Sequence, residues 1–205
     1  RDVLGSRGLG DVYKRQDIDV KNSQGVLVVD IGYDTTEVSI LSLGGIVLSR
    51  LIKTGGLKFD EAVRQTVRRE FNLLIGQKTA ATIRQSIGDL EKEGKGAVVY
   101  GRDIVVGLPV EREIPTDLIN SCLEEHFNTI IDSVKVILER TPPELGADIF
   151  KHGVYLTGGA SQTSHFAELL QKSTGLKVNQ AQRPLESVVL GMGRICLLYT
   201  SPSPR

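Results

Sequence analysis

Residues 25–37 read GVLVVDIGYDTTE and residues 154–161 read VYLTGGAS, two apolar runs that each end in small residues. Gly25 to Ile31 is apolar on both alternating sets of side chains, which suits a strand buried on both faces of a sheet. Thr35 to Leu43 alternates in patches, with Glu37, Ser39 and Ser42 on one side, and Gly44-Gly45 turns the chain into Ile46 to Ile52. A β-hairpin therefore opens the fold. Val154 to Leu156 runs into Thr157-Gly158-Gly159 and then a helical segment around Phe166 to Leu170, so strand, glycine turn and helix recur at the far end.

Between these runs the periodicity changes. Phe59, Val63, Val67 and Phe71 recur at four-residue intervals and predict an amphipathic helix from Leu57 onward. A second, short helix is expected over Thr79 to Ile87, with Gly88 as its C-cap. After the charged, glycine-broken stretch Glu91 to Lys95, three short strands are read at Ala97 to Tyr100, Ile104 to Val106 and Val110 to Ile114. Thr116 then caps a long helix whose stripe is Ile119, Leu123, Phe127, Ile130, Val134 and Ile137, ending before Pro142-Pro143. The pattern is α/β, with residues 56–115 as a small α+β insertion subdomain and residues 17–55 and 116–195 as the large subdomain. There is no internal repeat and no low-complexity tract.

The two ends are read as foreign to the fold. Asp11 to Gln16 matches one translation frame of a transposon mosaic end used in sequencing libraries, and Cys196 to Ser201 matches its complement read inward. Residues 1–16 and 196–205 are accordingly expected to be adapter-derived. The 205 residues carry 25 basic and 25 acidic side chains; setting aside Arg1, Arg7, Lys14, Arg15 and Arg205 against Asp2 and Asp11 leaves 20 and 23, a net charge of −3. That near-neutral, mixed balance gives no electrostatic footprint for nucleic acid and no polybasic run for an anionic membrane. No apolar run is long enough for a transmembrane helix. With Cys122 alone remaining there is neither a disulfide framework nor a CxxC metal site, which fits a reducing cytoplasm.

The chemistry is expected at the two glycine turns, because small residues after a strand let backbone N–H groups approach phosphate oxygens. In the first turn, Asp30 at the end of a buried strand can hold a metal ion through its waters. Thr35 and Thr36 can orient phosphate or an attacking water. The second turn is Gly158, Gly159, Ala160 and Ser161.

These residues carry a resemblance to the MreB family of the actin-like ATPase superfamily, whose lobes have a ribonuclease H-like α/β fold. Asp30 to Glu37 resembles the family's second phosphate loop. Gly55-Gly56, Phe59 and Asp60 resemble the motif at the start of its small subdomain, and Leu74 to Gly76, Thr79-Ala80 and Ile87-Gly88 match the helices there. Thr141 to Leu145, Asp148-Ile149 and Leu156 to Gly159 form the most family-specific stretch, and Pro184-Leu185 with Val188, Gly191 and Gly193 resembles its closing segment. The resemblance implies a C-terminal fragment of an ATP-binding protein that polymerises into filaments, works with membrane-associated cell-wall elongation machinery and lies in the cytoplasm at the inner face of the membrane. The first phosphate loop, catalytic glutamate and membrane-inserting segment are expected upstream of Asp17, so this piece alone is not expected to hydrolyse ATP and is expected to fold poorly.

By the same resemblance ATP and Mg are the cofactors, with Asp30 holding Mg through water and Thr36 and Glu37 in catalytic positions. Gly32, Tyr33, Asp34, Thr35, Thr36, Ala81, Arg84, Gly158, Gly159, Ala160 and Ser161 would face the nucleotide. Three departures lie against that ligand. Tyr33-Asp34 stands where the family has Gly-Gly, Ala81 and Arg84 replace a Glu and a Lys turned toward ribose and base, and Ala160 replaces a third glycine. Arg84 keeps a cationic group, whereas Ala81 cannot replace a carboxylate. Two other classes stay open: a chaperone or sugar-kinase type enzyme of the superfamily, and an actin-like scaffold that has lost hydrolysis. His126, His152 and His165 show no metal-ligand spacing, Arg64, Arg68 and Arg69 alternate with acids as a solvated helix face, and Cys122 reads as a small core hydrophobe.

Overall fold

Buried on both faces, Val26–Ile31 (β1) is the middle strand of a five-stranded sheet in the order β3-β2-β1-β7-β8. The computed structural model describes residues 24–43, 45–181 and 184. The two ends read as adapter, the Gly44 half of the hairpin turn, and Leu185, Val188, Gly191 and Gly193 lie outside the described residues. β2 (Thr36–Ser42) and β3 (Gly45–Ile52) pair antiparallel as the hairpin pattern predicts, while β7 (Val154–Thr157) and β8 (Val178–Gln180) add in parallel on the other side of β1. Leu27, Val29 and Ile31 face the main core with Val38, Ile40, Val154 and Leu156; Val26 and Val28 face Leu41 and Tyr155 on the opposite side.

The first helix, α1 (Gly56–Phe71), buries Phe59, Val63 and Val67 as its spacing requires. The second, α2 (Gln77–Glu93), is longer than expected: it runs through Gly88 and stops at Gly94, which takes the left-handed conformation with φ 65°. Gly88 is small for a different reason, since a Cβ there would meet the Ser164 side chain. The sheet of the insertion is antiparallel in the order β4 (Leu73–Leu74), β5 (Ala97–Asp103) and β6 (Pro109–Ile114). Two of the three expected strands answer to β5 and β6, whereas β4 was not foreseen and takes in Leu74, which was matched to a helix. Ile104 to Val106 is not a strand but the turn between β5 and β6. There the Asp103 carboxylate accepts from Val105 N (2.8 Å) and Val106 N (3.0 Å), and Gly107 has φ 79°. Local side-chain capping overrides the β-propensity of Ile-Val-Val, and the same N–H groups hold the Asp103 carboxyl below its usual range.

In α3 (Thr116–Glu139) every expected stripe residue is buried. Its cap position is Pro115 rather than Thr116, which is the first helical residue and makes no side-chain cap bond; Asp117 supplies the favourable charge in the first turn instead. Pro143, read only as a terminator, starts a helix that the spacing did not reveal, α4 (Pro143–His152), where its missing N–H costs nothing. Asp148 Oδ2 on α4 accepts from Gly25 N at 3.0 Å and fixes α4 at the start of β1. β8, three residues long, was not foreseen either. The last helix among the described residues is α5 (Phe166–Thr174).

Three aromatic rings knit these helices together. Phe59 of α1 meets Phe127 of α3 edge-on at 5.4 Å between centroids, and Phe127 meets Phe166 of α5 at 5.2 Å. The insertion and the large sheet thus share one hydrophobic core. Phe127→Ala is expected to lower the unfolding free energy by about 3–5 kcal/mol through the cavity it leaves and the lost edge contacts, read as a lower urea midpoint with an unchanged slope.

Candidate functional site

The parallel register of β1 on β7 sets Asp30 level with Thr157, so the two glycine turns, distant in sequence, emerge side by side. Gly158 makes the approach possible. It has φ 90° and ψ 155°, and a Cβ there would run into Ile31 O and an Asp30 carboxylate oxygen. The first turn is fastened to α1: Gly56 N donates to Gly32 O (3.1 Å) and Leu57 N to Tyr33 O (2.8 Å), while Gly32 N closes the turn on Thr35 O (2.9 Å).

Asp30 also lies directly opposite Glu37 on β2. Burial, and then the Glu37 charge, push the Asp30 carboxyl up to about 6. Glu37 Oε1 accepts from Ser39 Oγ (3.1 Å) and Ser49 Oγ (3.0 Å), which orients it on the sheet. Beside them the fully buried Thr157 Oγ1 has no hydrogen-bond partner. Two carboxylates short of positive charge next to an orphaned hydroxyl fit a hydrated divalent cation. Among the described residues no three acidic, His or Cys side chains converge, so such an ion would take most of its ligands from water and from the molecule it accompanies.

Other expected site residues are already engaged. Thr36 Oγ1, buried, donates to Thr54 O at 2.7 Å and ties β2 to the chain leading into α1. The second turn winds as a short 3-10 helix, Gly159–Gln162, in which Ser161 Oγ donates to Gly158 O at 2.6 Å. Ala160 is buried, Ala81 is half-buried on α2, and Tyr33 and Asp34 are exposed.

Arg84, expected to face a ligand, is only 5% exposed. Its Nε donates to Asp60 Oδ1 and its Nη1 to Thr163 Oγ1, both at 2.8 Å, and its guanidinium lies 6.0 Å from the Phe59 ring centroid. Arg84 therefore ties α2 to α1 and to the second turn, and its Nη2 lies 3.7 Å from where a Cβ on Gly56 would stand. Thr163 and Gln77 were missed as members of this cluster. Gln77 Nε2 donates to the Tyr33 hydroxyl, and nothing in their spacing signals that contact. Outside the cluster, Cys122 packs half-buried with Sγ on Ile119 O (3.1 Å), and burial pushes its thiol up.

A family model described as MreB/Mbl protein matches residues 15–201. The cell shape-determining protein MreB of Escherichia coli K12 is 39% identical over 177 residues, 85% of this chain and 51% of that relative. The cell shape-determining protein Mbl of Bacillus subtilis is 35% identical over 178 residues, 86% of this chain and 54% of that relative. The crystal structure of MreB5 of Spiroplasma citri bound to ADP matches with a TM-score of 0.86 and 36% identity, covering 94% of this chain and 59% of that one. The chain spans about half the length of the curated relatives it matches.

Two outcomes are expected from the geometry. Arg84→Ala strands the buried Asp60 carboxylate and should cost about 3–5 kcal/mol in urea unfolding, whereas the paired change Arg84→Met with Asp60→Leu should cost far less than the two single losses together. Because Asp30 holds its proton more tightly folded than unfolded, cation-free stability should fall as pH rises from about 4 to 6. Asp30→Asn should abolish that slope and gain roughly 1–2 kcal/mol at pH 7, measured by denaturation across pH with a chelator present.

Proposed function

The chain belongs to the MreB/Mbl family, and on that premise we propose that it is part of an ATP-binding, filament-forming bacterial actin homologue that directs cell shape and cell-wall synthesis. The observation that carries the nucleotide part is the meeting of Asp30, the orphaned Thr157 hydroxyl and the Gly158 backbone at the ends of two parallel strands. Its α/β fold is that of the family's solved structures, and the relative from Spiroplasma citri was crystallised with ADP.

On this reading Asp30 holds Mg through water, and the turns Gly32 to Thr36 and Gly158 to Ser161 face the phosphates. Bound ATP would supply the phosphoanhydride. Thr36 and Glu37 would orient a water beside it, with Ser39 and Ser49 steadying the Glu37 carboxylate. Residues 56–115 act as the small subdomain and residues 17–55 with 116–195 as the large one. The partners are further copies of the same protein and the cell-wall elongation machinery, at the cytoplasmic face of the membrane. No helix among the described residues is long and apolar enough to cross a membrane. A hydrolysis-deficient scaffold is the second reading, favoured by the Thr36 hydroxyl being committed to Thr54 O.

Titration calorimetry of Mg·ADP and Mg·ATP tests the proposal. Saturable binding is expected that weakens at least tenfold in Asp30→Ala and is lost with chelator. Binding untouched by Asp30→Ala would move the site elsewhere and defeat the assignment.

A further inference from the structure

Two side-chain ties join α2 to the two glycine turns, and they differ in kind. Arg84 reaches the second turn through Thr163 Oγ1 from a buried, ion-paired position. Gln77, in the first turn of α2, reaches the first glycine turn through the Tyr33 hydroxyl, and both partners are exposed, Tyr33 by 56%. A buried ion pair does not open on its own, because each charge would be left without solvent. An exposed neutral hydrogen bond competes with water and is readily exchanged.

The position of the Tyr33 ring gives the weaker tie its meaning. Its Cδ2 lies 3.7 Å from where a Cβ on Gly56 would stand, and Ala160 Cβ (3.3 Å) and Arg84 Nη2 (3.7 Å) converge on the same point. The ring therefore reaches into the ground where the start of α1, the second glycine turn and α2 meet. The Tyr33 backbone is held by its carbonyl on Leu57 N and has no positive φ. The side chain can swing about χ1 without disturbing the turn.

We propose that Tyr33 is the gate residue of the nucleotide cleft: strapped to Gln77 it covers the ground between the two glycine turns and α2, and a nucleotide seats only by breaking that strap and turning the ring outward. The gate rests on the nucleotide reading above and adds to it the residue that sets affinity. It also adds a coupling. Opening the strap releases the start of α2 from the first turn while Arg84 keeps the middle of α2 on the second, so occupancy of the cleft is felt at one end of α2.

The test is calorimetric titration of the full chain with Mg·ADP, together with the Gln77 side-chain amide signal by NMR. Tyr33→Phe, which removes only the strap, and Gln77→Ala, which cuts it from the other side, should each bind about threefold to tenfold more tightly than the parent. Tyr33→Ala, which also clears the ring, should bind more tightly still. The Gln77 amide signal should shift on Mg·ADP addition in the parent and stand at its shifted position from the outset in Tyr33→Phe. Equal or weaker binding by Tyr33→Ala, with an unchanged thermal midpoint, overturns the gate and leaves the nucleotide reading standing. Absence of Mg·ADP binding in the parent and in every variant overturns the nucleotide reading and the gate with it.

Discussion

Parallel pairing of β1 with β7 is the constraint from which the rest of the molecule follows. It places Asp30 and Thr157 at one level, brings two glycine turns edge to edge, and leaves room for no side chain at Gly158. A parallel pair needs a long crossover, and here the crossover contains the hairpin return, the whole insertion, and α3 and α4. The insertion is thus carried at the lip of the site by the same connection that makes the sheet. Because β1 has neighbours on both sides and is buried on both faces, it leaves its one acidic group, Asp30, at the strand end where the ladder stops.

Polar groups at that end are arranged with unequal commitment. Arg84 is buried, paired with Asp60 and bonded to Thr163, so it acts as a fixed brace between α2, α1 and the second turn. Asp30 and Glu37 lie opposite one another across β1 and β2, and burial together with the Glu37 charge raises the cost of ionising Asp30. Thr157 keeps an unpartnered hydroxyl beside them. The brace is satisfied by the protein alone, whereas the acid pair and the orphaned hydroxyl are the groups a bound cation and its ligand would satisfy. The aromatic contacts Phe59–Phe127–Phe166 lie beneath the brace and make one core of the insertion and the large sheet.

Much of the fold was legible in the residues, and the misses have local causes. The apolar run at β1, the four-residue spacing of α1 and the stripe of α3 each encode burial directly, so each was found. Gly88 was misread because glycine marks both helix ends and close packing, and only the neighbouring Ser164 tells which applies. Ile104 to Val106 was misread because its β-propensity is real but weaker than the bonds from the Asp103 carboxylate to the turn amides. At the site, the glycine turns and Asp30 were legible as strand ends. Arg84 was expected to face a ligand, and its burial and its partners Asp60 and Thr163 were not legible.

The sequence by itself determined the longer elements β1, β2, β3, α1 and α3 and the residues that α1 and α3 bury, and it marked two glycine turns with one acidic strand end as the expected place for phosphate chemistry. These are properties of spacing and of single residues, and they survive without knowing any neighbour. Only the tertiary structure decided that Thr157 stands unpartnered beside Asp30, that Arg84 is spent on Asp60 and Thr163, and that Tyr33 reaches Gln77. Each of those depends on where two distant stretches meet, and on what burial leaves satisfied or unsatisfied once they have met.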